Sequence, residues 1–189
     1  MSHIEVVTYD PAWPGWFEAI RNRVAPALEG AALAIEHVGS TSVPGLAAKP
    51  IIDIDVVVRD DDGAVAAAVA ALATLGYVHR GDLGIPGREA FFAPAGTLAH
   101  HLYVCREGHA SLRNHLVLRD YLRGHPKAAA AYGALKRRLA AAHRDDVESY
   151  IAGKAPFILG VLAASGFAGT ELAAIAVQNG VGWPIVKRR

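Results

Sequence analysis

Residues 37–58 read HVGSTSVPGLAAKPIIDIDVVV, and this stretch decides the fold that we predict. Its second part, residues 51–58, is apolar except for Asp53 and Asp55, which favours a buried β-strand. Its first part is rich in Gly, Ser, Thr and Pro, residue types that are typical of a loop. The stretch therefore predicts a loop over residues 39–50 that leads directly into a central strand of a sheet.

Asp53 and Asp55 stand two residues apart on this strand, so both carboxylates project from the same face of the sheet. Two adjacent carboxylates resist burial, because each disfavours the ionised form of the other. A divalent cation removes this repulsion, and Mg²⁺ (or Mn²⁺) takes oxygen ligands and shares its shell with substrate phosphates. We predict that Asp53 and Asp55 are catalytic metal ligands. The alternative is that they cap loops at a sheet edge.

The loop before the strand has the composition of a phosphate-binding loop. Gly39 permits close backbone approach, and Ser40 with the free N–H groups around it can hold a phosphate. Ser40 and Thr41 could instead be helix N-caps, which use the same N–H groups. Lys49 could contact a phosphate or could be a solvated lysine. A phosphate cradle next to a carboxylate pair suits nucleotidyl transfer, which depends mostly on positioning and charge neutralisation.

Outward from this stretch, the residue pattern predicts a mixed sheet followed by a helical half. The predicted strands are residues 4–9, 33–38, 51–58, 77–80, 88–93 and 98–105, of which the last two form a hairpin. The predicted helices are residues 15–28, 60–75, 111–123, 127–143, 147–164 and 171–178. Pro156 is expected to kink or split its helix, and residues 181–189 are expected to be a loosely held tail.

Length and composition suit one α/β (α+β) domain with a substantial core, since the 189 residues are 52% hydrophobic and 20% charged. We predict a single domain over residues 1–189, sheet-rich over 1–108 and helical over 109–180. The net charge of +1 gives no global argument for nucleic-acid binding. The only cysteine, Cys105, excludes an intrachain disulfide and is expected to be a buried thiol rather than a nucleophile. Without a signal-peptide pattern or a run of about 20 apolar residues, we predict a cytoplasmic protein with no membrane partner.

Five segments carry a family resemblance: EHVGSTSVPGLAAKPIIDIDVVV (36–58), VVTYDPAWPGWF (6–17), HHLYVCREG (100–108), LRDYLRGHPKAAAAYGALKRRLA (118–140) and YIAGKAPFI (150–158). They resemble the GrpB (UPF0157) family, a branch of the nucleotidyltransferase superfamily. The resemblance extends to about residue 164. It implies a nucleotidyltransferase-like mixed β-sheet flanked by helices, with Gly39, Ser40, Asp53 and Asp55 in the superfamily's positions. A similar domain occurs fused to dephospho-CoA kinase in some proteins.

The predicted strand over residues 98–105 departs from the superfamily, whose active members usually carry a third carboxylate on a later strand. This strand contains no acid; one face carries His101 and Tyr103, and the other carries His100. His101 could replace the acid as a metal ligand or general base, since histidine serves in both roles. The alternative is that one of the two histidines points to the core or to solvent. Tyr103 is a further candidate for substrate contact.

Three more basic residues are candidates for substrate or phosphate binding. Arg88 follows a Gly-containing loop, residues 81–87, that could be a lid. Arg119 shares a helical face with His115, a face that could cover the carboxylates or could simply be solvated. Lys154 lies in one of the segments that resemble the GrpB family.

Together these patterns predict a metal-dependent transferase that moves a nucleotidyl or phosphoryl-type group from a nucleoside triphosphate to a small-molecule acceptor. Two alternatives remain open. One is a catalytically degenerate nucleotidyltransferase fold that binds a nucleotide or a CoA-like ligand, which the missing third acid favours. The other is a fold recruited for different small-molecule chemistry, with the histidines as acid and base.

Overall fold

The computed structural model describes residues 3–182, and the chain in it divides into two compact units. The sheet unit contains residues 10–42 and 50–116. The helical unit contains the residues up to 9, residues 43–49 and the chain from residue 117 onward. The two units therefore alternate along the sequence, and the predicted single domain over residues 1–189 stays a prediction.

The sheet unit is built on a five-stranded mixed sheet in the order β1-β2-β5-β4-β3. Its strands are β1 Ala34–Val38, β2 Ile52–Val58, β3 Val78–His79, β4 Arg88–Phe92 and β5 His100–Arg106. Strand β2 is parallel to β5 and antiparallel to β1, whereas β4 is antiparallel to both β5 and β3. The predicted α/β class with a mixed sheet and the predicted hairpin of β4 and β5 are confirmed.

Strand β2 is apolar because it is an interior strand, paired with β1 and β5, and all of its residues except Asp53 are buried. Its residues at even positions from Ile52 to Val58 are buried on one face of the sheet. The opposite face carries Asp53, Asp55 and Val57, and the first part of helix α3 (Ala110–Gly124) packs there through Leu112. This arrangement places the carboxylate pair between the sheet and a helix.

The other helices of the sheet unit are α1 Trp13–Val24 and α2 Asp62–Thr74, and a short 3-10 turn covers Ser40–Ser42. Helix α2 begins where the acidic run predicts, since the Asp61 side chain accepts a hydrogen bond of 2.6 Å from the Ala64 N–H. It ends beside Gly76, whose φ of +86° is the left-handed conformation that favours glycine after a helix.

The helical unit contains α4 Pro126–Ala142, α5 Val147–Ala164 and α6 Gly169–Gln178, together with the second part of α3. By length and composition alone, helix α5 is long and apolar enough to cross a membrane. The core helix of a soluble protein meets the same criterion. Its residues Ala155, Leu159 and Leu162 are buried in an apolar cluster to which α6 contributes Leu172 and Ile175.

Three sequence predictions are affected. Residues 4–9 form no strand, because Val7 pairs only with Ala48 in a loop and an isolated bridge cannot extend into a ladder. Helix α5 is not split at Pro156, since its other residues supply enough packing and hydrogen bonds to continue the helix. Within the predicted tail 181–189, residues 183–189 lie outside the described residues.

His100, at the start of β5, is a structural residue. Its Nδ1 donates to the Leu98 carbonyl at 2.6 Å, so its Nε2 accepts a hydrogen bond of 2.7 Å from the Tyr77 hydroxyl. Burial lowers the pKa of His100 below its ordinary value, which keeps the ring neutral at neutral pH. Of the two histidines, His100 is therefore the one that points to the core.

Replacing Tyr77 with Phe should lower the free energy of unfolding by about 1–2 kcal/mol, because a buried imidazole nitrogen loses its only donor. Urea denaturation monitored by circular dichroism measures the change. Tyr121→Phe is the matched control, since Tyr121 stacks on His125 and a Phe ring keeps that stacking. Equal stabilities for Tyr77→Phe and the unsubstituted protein would contradict the role of this hydrogen bond.

Candidate active site

One face of the sheet collects polar and charged side chains from four strands. Asp53 lies opposite His101, and Asp55 lies opposite Tyr103 on β5 and opposite Glu36 on β1. Arg88 on β4 lies opposite Cys105, on the same face. Directly opposed residues share a face of a sheet. We refer to this group as the polar face: Glu36, Asp53, Asp55, Arg88, His101 and Tyr103.

Gly39 brings the loop backbone against the first carboxylate. Its φ is +68°, and a Cβ added there would lie 2.1 Å from Asp53 Oδ2, closer than any side chain permits. The approach follows from the strand register, because Val38 at the end of β1 lies opposite Asp53. The predicted phosphate loop and the predicted metal carboxylate are therefore adjacent.

The loop after Gly39 is held from within the sheet unit. Ser42 Oγ donates to the Gly39 carbonyl at 2.7 Å. Thr41 is buried, and its hydroxyl donates to the Ile51 carbonyl at 3.4 Å and accepts from His37 Nε2 at 3.0 Å. The Thr41 side chain is thus engaged inside the protein, and any contact of this residue with a ligand would come from its backbone.

Asp55 is fully buried, yet only one of its oxygens is hydrogen-bonded. Its Oδ2 accepts a hydrogen bond of 2.8 Å from His115 Nδ1. Its Oδ1 has no hydrogen-bond partner among residues 3–182. A buried carboxylate oxygen without a partner is costly, and a bound cation would satisfy it.

The donor set of the polar face fits Mg²⁺ better than a metal held by protein ligands alone. Across residues 3–182, no group of three His, Cys, Asp or Glu residues is arranged to hold a metal ion. Magnesium is commonly bound by one or two carboxylates, with water and substrate phosphates completing its shell. Asp53 and Asp55 match this mode, and the Asp53 carboxylate is 31% exposed and so open to a ligand.

Each carboxylate has its own histidine. His101 Nδ1 donates to Asp53 Oδ1 at 2.9 Å, which leaves Nε2 of this half-exposed ring with a lone pair. Burial alone would lower the pKa of His115, but the charge and hydrogen bond of Asp55, with the charge of Asp53, raise it above its ordinary value. His115 therefore carries positive charge against Asp55 more readily than a free histidine would.

Arg88 and Tyr103 form the far side of the polar face. The guanidinium carbon of Arg88 lies 4.4 Å from the centroid of the Tyr103 ring. Burial, followed by the charge of Asp53, raises the pKa of Tyr103 to about 12, so its hydroxyl stays protonated. Burial also raises the pKa of the Cys105 thiol well above its ordinary value, which agrees with a buried thiol rather than a nucleophile.

Lys49, Arg119 and Lys154 belong to the helical unit, and their predicted roles stay predictions. Within that unit, Arg119 donates to Asp120 at 2.7 Å, and Lys154 Nζ lies 4.5 Å from the centroid of the Tyr150 ring.

Sequence reasoning missed Glu36 as an acid of this face, and it considered His115 only as part of a helical face that could cover the carboxylates, not as the hydrogen-bond partner of Asp55. A signal for His115 was present, because it stands between Leu112 and Leu116 at helical spacing and therefore on the side of α3 that faces the sheet.

Comparisons with known proteins agree with this architecture. Residues 3–164 match the family model described as GrpB protein. UPF0157 protein YqkA of Bacillus subtilis is 37% identical over 155 residues, which cover 82% of this chain and 45% of that protein. UPF0157 protein SCO7215 of Streptomyces coelicolor is 37% identical over 160 residues, which cover 85% of this chain and 83% of that protein. The chain thus spans less than half of the first relative and most of the second.

Two solved structures have a similar fold. The crystal structure of conserved protein GrpB from Enterococcus faecalis aligns with a TM-score of 0.74 at 34% identity, covering 85% of this chain and 99% of that one. The Cid1 poly(U) polymerase with bound MgGTP aligns with a TM-score of 0.51 at 14% identity, and the alignment covers 71% of this chain and 44% of that one. The second likeness concerns the fold alone.

Proposed function

This chain belongs to the GrpB protein family, and from that premise we propose that the polar face is a site for nucleotidyl transfer from a magnesium-bound nucleoside triphosphate to a small acceptor. One observation carries the proposal: the Gly39 backbone lies against the Asp53 carboxylate, so the loop for phosphates and the carboxylate for the cation form one site. The nucleotidyltransferase-like fold supports the same assignment.

Gly39 and Ser40 would hold the phosphates through their backbone N–H groups and the serine hydroxyl. Asp53 and Asp55 would hold Mg²⁺ (or Mn²⁺), with the unpartnered oxygen of Asp55 as one ligand. When bound, the cation supplies charge neutralisation for the phosphates and for the two carboxylates.

In the proposed reaction, a hydroxyl oxygen of the acceptor attacks the α-phosphorus and forms a new P–O bond. The bond between that phosphorus and the bridging oxygen of pyrophosphate breaks, and pyrophosphate leaves with the electron pair. The hydroxyl proton passes to His101 Nε2, which has a free lone pair because Nδ1 donates to Asp53. Asp53 thus orients the base, and the half-exposed ring is accessible to an acceptor.

A second candidate function is binding of a nucleotide or a CoA-like ligand without turnover. Strand β5, on which the superfamily's third carboxylate is expected, carries no acid, and opposite Asp55 it carries Tyr103, whose raised pKa keeps it uncharged. A relative that shares this region is the dephospho-CoA kinase of Mycolicibacterium paratuberculosis, 28% identical over 82% of this chain and 44% of that protein.

Removing magnesium tests the proposed site. A triphosphate present at about 100 times its Kd should raise the free energy of unfolding by about 2.7 kcal/mol in magnesium, and this gain should vanish when EDTA replaces the metal. Thermal unfolding against a panel of nucleoside triphosphates and CoA precursors measures the gain. The same stabilisation in EDTA would exclude a metal-bridged site, and pyrophosphate release with a panel of acceptors separates transfer from binding without turnover.

A further inference from the structure

Arg88 is directed along the polar face toward the row that contains Asp55. Its Cα lies opposite Cys105, two residues beyond Tyr103 on β5. Its guanidinium nevertheless stacks on the Tyr103 ring, 4.4 Å from the centroid, and Tyr103 lies directly opposite Asp55. The guanidinium therefore lies over the β5 position that faces Asp55 rather than beside Cys105.

The Arg88 guanidinium has no anionic partner in the part of the chain that the structure describes. Its Nε is buried and lacks a hydrogen-bond partner there. Two other arginines of the sheet unit differ: Arg59 pairs with Asp61, and Arg106 pairs with Asp60. A buried donor on a cation is costly to leave unpaired, and stacking on one ring offsets only part of that cost.

A second buried donor without a partner lies on α3. Ser111 is 9% exposed, and its Oγ has no hydrogen-bond partner among residues 3–182. It precedes His115 by four residues, so both lie on the same side of the helix, and His115 contacts Asp55. The sheet-facing side of α3 and the polar face therefore each present a hydrogen-bond donor that lacks an acceptor.

Arg88 and the phosphate loop lie on opposite sides of the carboxylate pair. In the strand order, Gly39 follows β1, the carboxylates lie on β2, and Arg88 lies on β4 beyond β5. Neighbouring strands are about 4.8 Å apart, so about 14 Å separates β1 from β4, with the carboxylate pair between them. In phosphoryl transfer the attacking and leaving oxygens lie roughly in line on opposite sides of the phosphorus. If phosphates occupy the Gly39 side, the acceptor occupies the Arg88 side.

Resting on the proposed function, we propose that Arg88 and Ser111 form an anion subsite that binds a carboxylate or phosphate group of the acceptor. The planar guanidinium fork matches two oxygens of either group, and the serine hydroxyl donates a further hydrogen bond. The acceptor is accordingly an anionic small molecule with a free hydroxyl, such as a hydroxy acid or a phosphorylated alcohol. Neutral and cationic acceptors would leave the Arg88 donor unpaired.

Isothermal titration of inorganic phosphate and, separately, of acetate into protein saturated with magnesium and a non-hydrolysable triphosphate tests this subsite. The nucleotide analogue blocks the Gly39 side, so the anions report on the remaining site. We expect Arg88→Gln to weaken anion binding at least tenfold and to leave the affinity for the triphosphate within about twofold. Ser111→Ala should weaken anion binding by a smaller factor. If the unsubstituted protein binds phosphate more tightly than acetate, the acceptor is phosphorylated. If it binds acetate more tightly, the acceptor is a carboxylic acid.

Arg80→Gln is the matched control, because the Arg80 guanidinium also stacks on an aromatic ring, 4.1 Å from the centroid of Phe92, at the outer edge of the sheet. Strands β4 and β5 lie between this edge and the carboxylates on β2. It should change neither affinity. Arg88→Lys, which keeps the charge but not the fork, replaces the Gln variant if that variant fails to fold, and should also weaken anion binding. Unchanged anion affinity in the Arg88 variants, or a parallel loss of triphosphate affinity, would overturn the inference. Failure of the proposed function can be told apart from failure of this subsite, because in that case the unsubstituted protein would bind no triphosphate.

Discussion

Replacing Asp53 with Asn should weaken magnesium-dependent triphosphate binding by at least about 100-fold, equivalent to about 2.7 kcal/mol. The amide has the shape of the carboxylate but lacks its charge, and magnesium selects charged oxygen ligands. Its oxygen can still accept the hydrogen bond from His101 Nδ1, so the loop and β5 keep their arrangement. Isothermal titration with the magnesium-bound triphosphate measures the loss.

The free energy of unfolding should change little in this variant, because Asp53 is partly exposed and one of two neighbouring carboxylates has become neutral. Asp61→Asn is the matched control: it removes one negative charge from the same unit, and Asn is as good an N-cap as Asp. The control should bind the triphosphate as the unsubstituted protein does. If Asp53→Asn kept full affinity in magnesium, the carboxylate pair would not be the cation site.

The strands and helices that the sequence predicts correctly are those whose residue pattern lies within the element itself. Strand β2 is buried on both faces and therefore reads as an apolar run, and the acidic start of α2 reads as an N-cap. Residues 4–9 have strand composition, but a strand exists only where another strand pairs with it, and Val7 finds a single residue. The division into two units was also hidden, because residues 43–49 group with the distant helices.

In the candidate site, spacing alone could place Asp53 and Asp55 on one face, since side chains alternate along a strand. The contact of Gly39 with Asp53 depends on the β1–β2 register, which no single segment encodes. The same register places Glu36 opposite Asp55. The sheet therefore has a third acid beside the pair, but on β1 rather than on the later strand where one was expected. His115 lies 60 residues from Asp55 in the chain, a pairing that only tertiary packing creates.

Replacing His101 with Gln should reduce turnover by about 10²–10⁴-fold, the usual contribution of a general base. Gln can keep a hydrogen bond to Asp53, but it cannot take the acceptor's proton. Affinity for the magnesium-bound triphosphate should stay within about threefold, because the proposed phosphate ligands, Gly39 and Ser40, are unchanged. The measurement is pyrophosphate release, with hydroxy acids and phosphorylated alcohols as acceptors, beside titration of the triphosphate.

His79→Gln is the matched control for His101→Gln, since His79 also pairs with a carboxylate, its Nε2 lying 2.7 Å from Glu89 Oε2. Glu89 lies opposite Val104 and therefore on the face of the sheet away from the polar face, so the control should keep full turnover. A His101→Gln variant with undiminished turnover would remove His101 as the base. Triphosphate binding without pyrophosphate release by the unsubstituted protein would instead favour the binding function, because β5 carries no acid and Tyr103 opposite Asp55 is uncharged.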